Sequence, residues 1–271
     1  YLVGVVGTLS GGLTDQTATG IAALTDNVVN NTNDVQTVVY TFTPHIRPGD
    51  AGPEGTNGVA VTVTIKINPQ PKIDVDTDEE LCYDGPARFD ITNLNTVNTG
   101  ATWYYDIATS YPAGVTGSWP AGISDQTATG IAALTDNLVN STPDVQTVVY
   151  TFTPHIRPGD AGAECTNGVA MIVTIKINPQ PKIDVDTDEE LCYDGPARFD
   201  ITNLNTVNTG AVWYYDLSPV VYPVGVVGTL AGGLTDQTAT GIAALTDNVV
   251  NNTFDVQTVV YTFTPHIRPG D

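Results

Sequence analysis

The sequence predicts an all-β protein, an elongated array of tandem antiparallel β-sandwich repeats. Three observations carry this. The string VVYTFTPHIRPGD at Val38–Asp50 returns letter for letter at Val148–Asp160 and Val259–Asp271. The resulting period, about 110 residues, matches one sandwich domain rather than a short solenoid unit. Within each period, short runs alternate apolar with polar residues between Gly, Pro, Asn and Asp clusters, the pattern of half-buried strands.

The likeness between copies extends further. Tyr1–Asp50 matches Tyr222–Asp271 except at Leu2/Pro223, Ser10/Ala231 and Asn33/Phe254, and Pro71–Asp106 matches Pro181–Asp216 except at Thr102/Val212. This register divides the chain into a C-terminal part of a repeat (1–69), a linker (70–71), a whole repeat (72–178), a second linker (179–181) and a repeat without its last strand (182–271). It implies a window on a longer array, or strands supplied by a neighbouring chain. Pro69-Gln70-Pro71 and Pro179-Gln180-Pro181 read as short stiff joints, because proline fixes φ and donates no ladder hydrogen bond.

In the whole repeat, Lys72–Asp78 alternates Ile73 and Val75 with Asp74, Asp76 and Asp78, a first strand with a carboxylate row outside. Tyr83-Asp84-Gly85-Pro86 turns the chain, and Ala87, Phe89 and Ile91 face inward from a second strand. Asn93–Gly100 is a polar loop. Ala101, Trp103 and Tyr105 share one face of a third strand, with Trp103 in the core. Gly130–Asn140 is an apolar segment holding Ile131, Leu134, Leu138 and Val139, with a bend or bulge expected at Thr135-Asp136-Asn137. Gln146–Thr153 is the next strand, Pro154–Gly168 a connecting loop, and the alternation from Val169 to Asn178 the closing strand.

Composition narrows function. Thirty acidic against nine basic side chains give a formal net charge of −21, which repels phosphate backbones and anionic membrane surfaces and favours cations. No apolar run is long enough to span a bilayer. With 41% apolar residues each repeat can bury a core.

The order TxxYTxTP, a loop with Cys, alternating VTVTIxINPxPK, then LCYDG is carried here by Thr147–Pro154, Cys165, Val173–Lys182 and Leu191–Gly195, with Asn140 in LVNSTPDVQTVVY. The combination resembles the PKD-like and immunoglobulin-like repeats of very large surface proteins in Bacteroidetes. The resemblance implies secretion to the cell surface, often by the type IX system, and a role as adhesin or stalk, including the adhesins of gliding cells. Gly55, where that pattern tends to carry Cys, is a departure and puts a uniform disulfide scheme in doubt.

Several residues are site candidates. Asp74, Asp76 and Asp78, and their equivalents Asp184, Asp186 and Asp188, put hard oxygen ligands near a domain junction and could hold calcium. The alternative is a solvated acidic edge that deters strand-to-strand pairing. Tyr111 and Trp119, in the Gly/Pro-rich segment Ile107–Ser124, are candidate glycan contacts if exposed, and core caps if not. Of the three cysteines, Cys82 pairs with Cys165 within the repeat, leaving Cys192 to a partner outside the chain; pairing of Cys165 with Cys192, and three free thiols, stay open. A bridge would place the protein in an oxidising, extracellular compartment. His45, His155 and His266 recur in TPHIRPGD but lack convergent partners, and no nucleophile elbow, HExxH or phosphate-cradling loop occurs. The expectation is a non-enzyme without a required cofactor, whose partners are neighbouring repeats and surface polysaccharide, with neither nucleic acid nor membrane insertion. Runners-up are a carbohydrate-binding module array and a non-covalent fibre subunit assembled by strand exchange.

Overall fold

The computed structural model describes residues 1–271 except 50, 51, 56, 57, 79, 98, 99, 160, 161, 188, 189, 208, 209 and 271. Its regular structure is strand throughout, and almost all pairing is antiparallel.

The middle repeat is a two-sheet sandwich. One sheet orders the strands Ile123–Gln126, Thr102–Ser110, Gln146–Arg157, Met171–Ile177 and Glu80–Leu81; the other orders Gly130–Asn137, Pro86–Asn93 and Ile73–Thr77. Period-2 side-chain placement explains the core. Ile73 and Val75, then Ala87, Phe89 and Ile91, face Trp103, Tyr105, Val148, Tyr150, Phe152, Ile175 and Ile177, all buried. Phe89 anchors the packing, edge-on to Tyr150 at 4.8 Å between ring centroids and 5.4 Å from Phe152. Burying rings of this size contributes roughly 2–3 kcal/mol each from area alone.

Three expectations change on contact with the structure. The strand Gln146–Arg157 continues through Pro154 and His155 into what the sequence suggests is a loop, because it pairs with Thr102–Ser110 along its whole second half. Asp136 is not at a bend but is fully buried within the strand Gly130–Asn137, while Ile131 faces solvent. The irregularity falls earlier in that strand, where the register shifts between Gly130 and Leu134 and Ala132 takes a φ of 47°.

The third repeat repeats this plan with the strands Ile183–Thr187, Asp194–Asn203, Gly241–Asn251 and Val226–Val227 in one sheet and Leu234–Gln237, Val212–Leu217 and Phe263–Arg268 in the other. Phe199, Trp213, Tyr215 and Leu217 form its core. In the first section, Gln36–Phe42 pairs with Val61–Ile67, and Val5–Val6 with Val29–Asn30.

Candidate functional site: the inter-repeat joint

Each joint begins with an asparagine that the sequence marks by N-x-T-x-D. Asn140, fully buried, donates its side-chain amide to the carbonyls of Asp144 at 2.8 Å and Ile177 at 3.0 Å. Its Oδ1 accepts from the Thr142 backbone N–H at 2.9 Å, and the Thr142 hydroxyl lies 2.7 Å away. Asn30 makes the same bonds with Thr32, Asp34 and Ile67, and Asn251 repeats those with Thr253 and Asp255. A short, otherwise irregular segment is thereby held in one shape, because each buried polar atom in it has its partner.

That shape presents one carbonyl to the next repeat. At the first joint the Asn33 carbonyl accepts from the Thr96 N–H at 3.1 Å, Val35 N–H donates back to the Thr96 carbonyl, and Asp34 and Thr96 form a parallel bridge. Asn95, buried, completes the joint: its amide donates to the Asn33 and Gln70 carbonyls at 3.5 and 3.0 Å, and its Oδ1 accepts from Lys72 N–H at 2.7 Å. The second joint repeats the carbonyl contact, the asparagine and the parallel bridge. The Pro143 carbonyl accepts from Thr206 N–H at 3.2 Å and from Asn205 Nδ2 at 3.4 Å, Asn205 also donates to Gln180 at 2.9 Å and accepts from Lys182 at 2.7 Å, and Asp144 bridges Thr206. The linker is also clamped from the other side at the first joint, where Gln70 donates to the Asn167 carbonyl at 3.0 Å and Val169 N–H to Pro71.

Behind the joint lies a carboxylate that, among the described residues, is satisfied by hydroxyl and amide donors rather than by a cation. Asp136 Oδ2 accepts from the hydroxyls of Tyr111 at 2.5 Å and Tyr150 at 2.7 Å, and Oδ1 from Ser118 N–H at 2.5 Å. Asp247 with Tyr222, Tyr261 and Thr229, and Asp26 with Tyr1, Tyr40 and Thr8, repeat the arrangement. Several donors converge on each carboxylate, which lets Asp136 and Asp247 stay buried. For Asp247, burial opposes ionisation, but the hydrogen bonds from Tyr222, Tyr261 and Thr229 outweigh it and hold the carboxyl below its ordinary range. Burial first, then the bond to the carboxylate, pushes the Tyr222 hydroxyl up to about 12. Tyr150 is raised for the same reasons. This cluster escaped the sequence reading; a Tyr and an Asp at fixed places in all three copies were the available signal.

The named candidates fall elsewhere. The exposure expected of Tyr111 and Trp119 is not found: Tyr111 spends its hydroxyl on Asp136, and Trp119 packs 5.8 Å from Phe89 and edge-on to Tyr150, so both cap the core. Asp74 and Asp76 lie on the outer face of Ile73–Thr77, opposite Thr92 and Asp90. Neighbours on one strand face stand ~6.6 Å apart, too spread for one calcium shell without further ligands. Asp184 and Asp186 sit likewise, Asp78 is exposed and Asp188 lies outside the described residues. Among the described residues no group of three or more His, Cys, Asp or Glu side chains could hold a metal ion.

His155 is not a loop residue. It stacks on Tyr104 at 5.1 Å with Nε2 3.3 Å from Asp106, while Arg157 lies over the Tyr104 ring at 4.6 Å and pairs with Asp125 at 3.2 Å. His266, Tyr214, Asp216, Arg268 and Asp236 repeat the stack. Among the described residues no Ser, Thr or Cys nucleophile is bonded to either histidine, and the neighbouring guanidinium disfavours a bound cation.

All three cysteines are free thiols. The expected Cys82–Cys165 bridge is excluded by position. Leu81 pairs with Ile177, which lies opposite Gln146, whereas Cys165 bridges to Ile156. From Gln146 to Ile156 the strand runs ~33 Å at ~3.3 Å per residue, against a Cα separation of at most about 7 Å for a disulfide. Cys192 occupies the same far end of the third repeat, where Asn251 N–H donates to Tyr193, so Cys165–Cys192 is excluded too.

A family model described as PKD-like domain matches residues 7–71 and 79–181, more than half of the chain. The chain belongs to the PKD-like domain family. No curated protein matches it. The PKD-like assignment agrees with the all-β sandwich repeats described above, and among the described residues no helix is long and apolar enough to cross a membrane.

Proposed function

We propose that these PKD-like repeats form a non-enzymatic spacer of an extracellular surface adhesin or filament, in the manner of a stalk that carries adhesion or gliding. The observation that carries this reading is the duplication of the joint: two junctions hold the same carbonyl, the same saturated asparagine and the same parallel bridge. A chain needing only a flexible tether has no use for a buried, fully bonded asparagine between domains, because a loose linker of this length would serve. A fixed joint turns added repeats into reach. Each bead should extend the array by roughly 35–45 Å at ~3.3 Å per strand residue. The acidic surface keeps such arrays apart by mutual repulsion.

Small-angle scattering tests the proposal. The chain should give an elongated profile whose maximum dimension does not change with ionic strength, and the Asn95→Ala/Asn205→Ala double variant should broaden the distance distribution. A wild-type profile already typical of freely jointed beads would overturn it.

A further inference from the structure

The two ends of the middle repeat carry different cysteines, Cys82 and Cys165, and the joint brings unlike ends together. In the middle repeat, Cys82 lies at the end facing the third repeat: Asn178 N–H donates to the Leu81 carbonyl at 2.9 Å, Asn140 N–H to Tyr83 at 2.8 Å and Leu138 N–H to Gly85 at 3.1 Å. Residues 138–140 and 178 are therefore the seat of the Leu81-Cys82-Tyr83 segment. Their equivalents in the first section are 28–30 and 68. Val28, Val29, Asn30 and Asn68 line a groove at the first joint whose other wall holds Cys165, from the middle repeat. Cys165 thus faces the position that a Leu-Cys-Tyr segment occupies in the preceding repeat.

The second joint gives the same answer from the opposite side. Gly270 N–H, equivalent to Gly159 in the stretch that runs on to Cys165 in the middle repeat, donates to Glu80 Oε2 at 3.3 Å, two residues from Cys82. Glu80 is buried and anchored to Asn178 at 2.6 Å. The returning loop of one repeat therefore meets the Leu-Cys-Tyr segment of the repeat before it.

We infer that the cysteine of Leu-Cys-Tyr-Asp-Gly in one PKD-like repeat forms a disulfide with the loop cysteine of the following repeat, a covalent staple across the joint. Two thiols become one S–S bond, and the two protons and two electrons pass to a small-molecule disulfide, which leaves as two thiols. Where glycine replaces the loop cysteine, as at Gly55, the staple is absent and the joint relies on its hydrogen bonds alone.

The test keeps the whole chain and extends it after Asp271 with a copy of residues 161–178, which supplies the loop cysteine to the third repeat. In a glutathione redox buffer, the monomeric product should lose ~2 free thiols per chain, with an internal cross-link between the added segment and Cys82. Cys82→Ser should abolish that link, and Cys192→Ser should leave it intact; both cysteines are exposed, so neither change disturbs a core. A link that survives Cys82→Ser and disappears with Cys192→Ser, a link only between separate copies, or no link at all would each overturn the staple. Scattering on the reduced chain reads the spacer proposal separately, so a stiff array without the bond would remove the staple alone.

Discussion

The segment QTVVYTFTPHIR occurs in three places with one sequence and three structures. In the middle repeat it is a single strand, Gln146–Arg157, with Val148, Tyr150, Phe152 and Ile156 fully buried. In the first section only Gln36–Phe42 is strand, and Phe42 is 46% exposed. In the third repeat only Phe263–Arg268 is strand. The difference follows the partners. The middle copy pairs along its first half with Met171–Ile177 and along its second with Thr102–Ser110; the first copy has only the former kind of neighbour, Val61–Ile67, and the third only the latter, Val212–Leu217. Strand extent is set by the pairing available, since β-propensity largely expresses packing against neighbours.

Deleting the same ring in each context gives the largest separation. Phe152→Ala should destabilise the middle repeat by ~3–5 kcal/mol through an unfilled cavity, Phe263→Ala should cost less, and Phe42→Ala should lie within about 0.5 kcal/mol of wild type. Urea unfolding followed by the fluorescence of Trp103 and Trp213 would rank them; equal losses at all three would break the comparison. Next comes Asp136→Asn, which sets an amide donor among three donors and should cost ~2–4 kcal/mol, while Ser118→Ala, which leaves the backbone N–H bond in place, should be nearly silent.

Alkali probes the same cluster. The tyrosine hydroxyls ionise higher in the folded chain than their ordinary value of 10.0, Tyr222 at about 12. The unfolded chain therefore loses protons first, and stability, intact below pH 10, should fall as pH rises from there toward 12. On the acid side Asp247 is shifted down, so its contribution is present above its ordinary 3.8 and is lost as pH falls below it. Melting temperatures across both ranges check the two signs, and Tyr222→Phe should shrink the alkaline loss. A modest effect on stability is expected from Asn95→Ala, about 1–2 kcal/mol from one saturated amide, seen mainly as the broadened scattering profile.

Much of this architecture is legible in the letters. Alternation placed Ile73, Phe89, Trp103 and the Val148–Phe152 face inward because period-2 patterning and burial are one fact. Pro154 misled, since a proline inside a run reads as a strand's end; here the strand goes on, paired to Thr102–Ser110. Asp136 misled because an acidic residue beside Thr and Asn reads as a turn, and its burial depends on Tyr111 and Tyr150, which are remote in sequence. The cysteine geometry was hidden for a related reason: proximity along the chain says nothing about which end of a sandwich a residue occupies.

The joint reads a main-chain carbonyl, and its residue is Asn33 at the first joint and Pro143 at the second, while the equivalent position of the third copy is Phe254. Although at the first joint Lys72 Nζ also donates to Asn33 Oδ1 at 3.0 Å, the carbonyl contact itself needs no particular side chain, so it tolerates drift at that position. It also makes the repeats interchangeable parts: a unit copied, lost or shuffled by recombination meets its new neighbour through the same peptide group, so the array can change length without inventing a new interface.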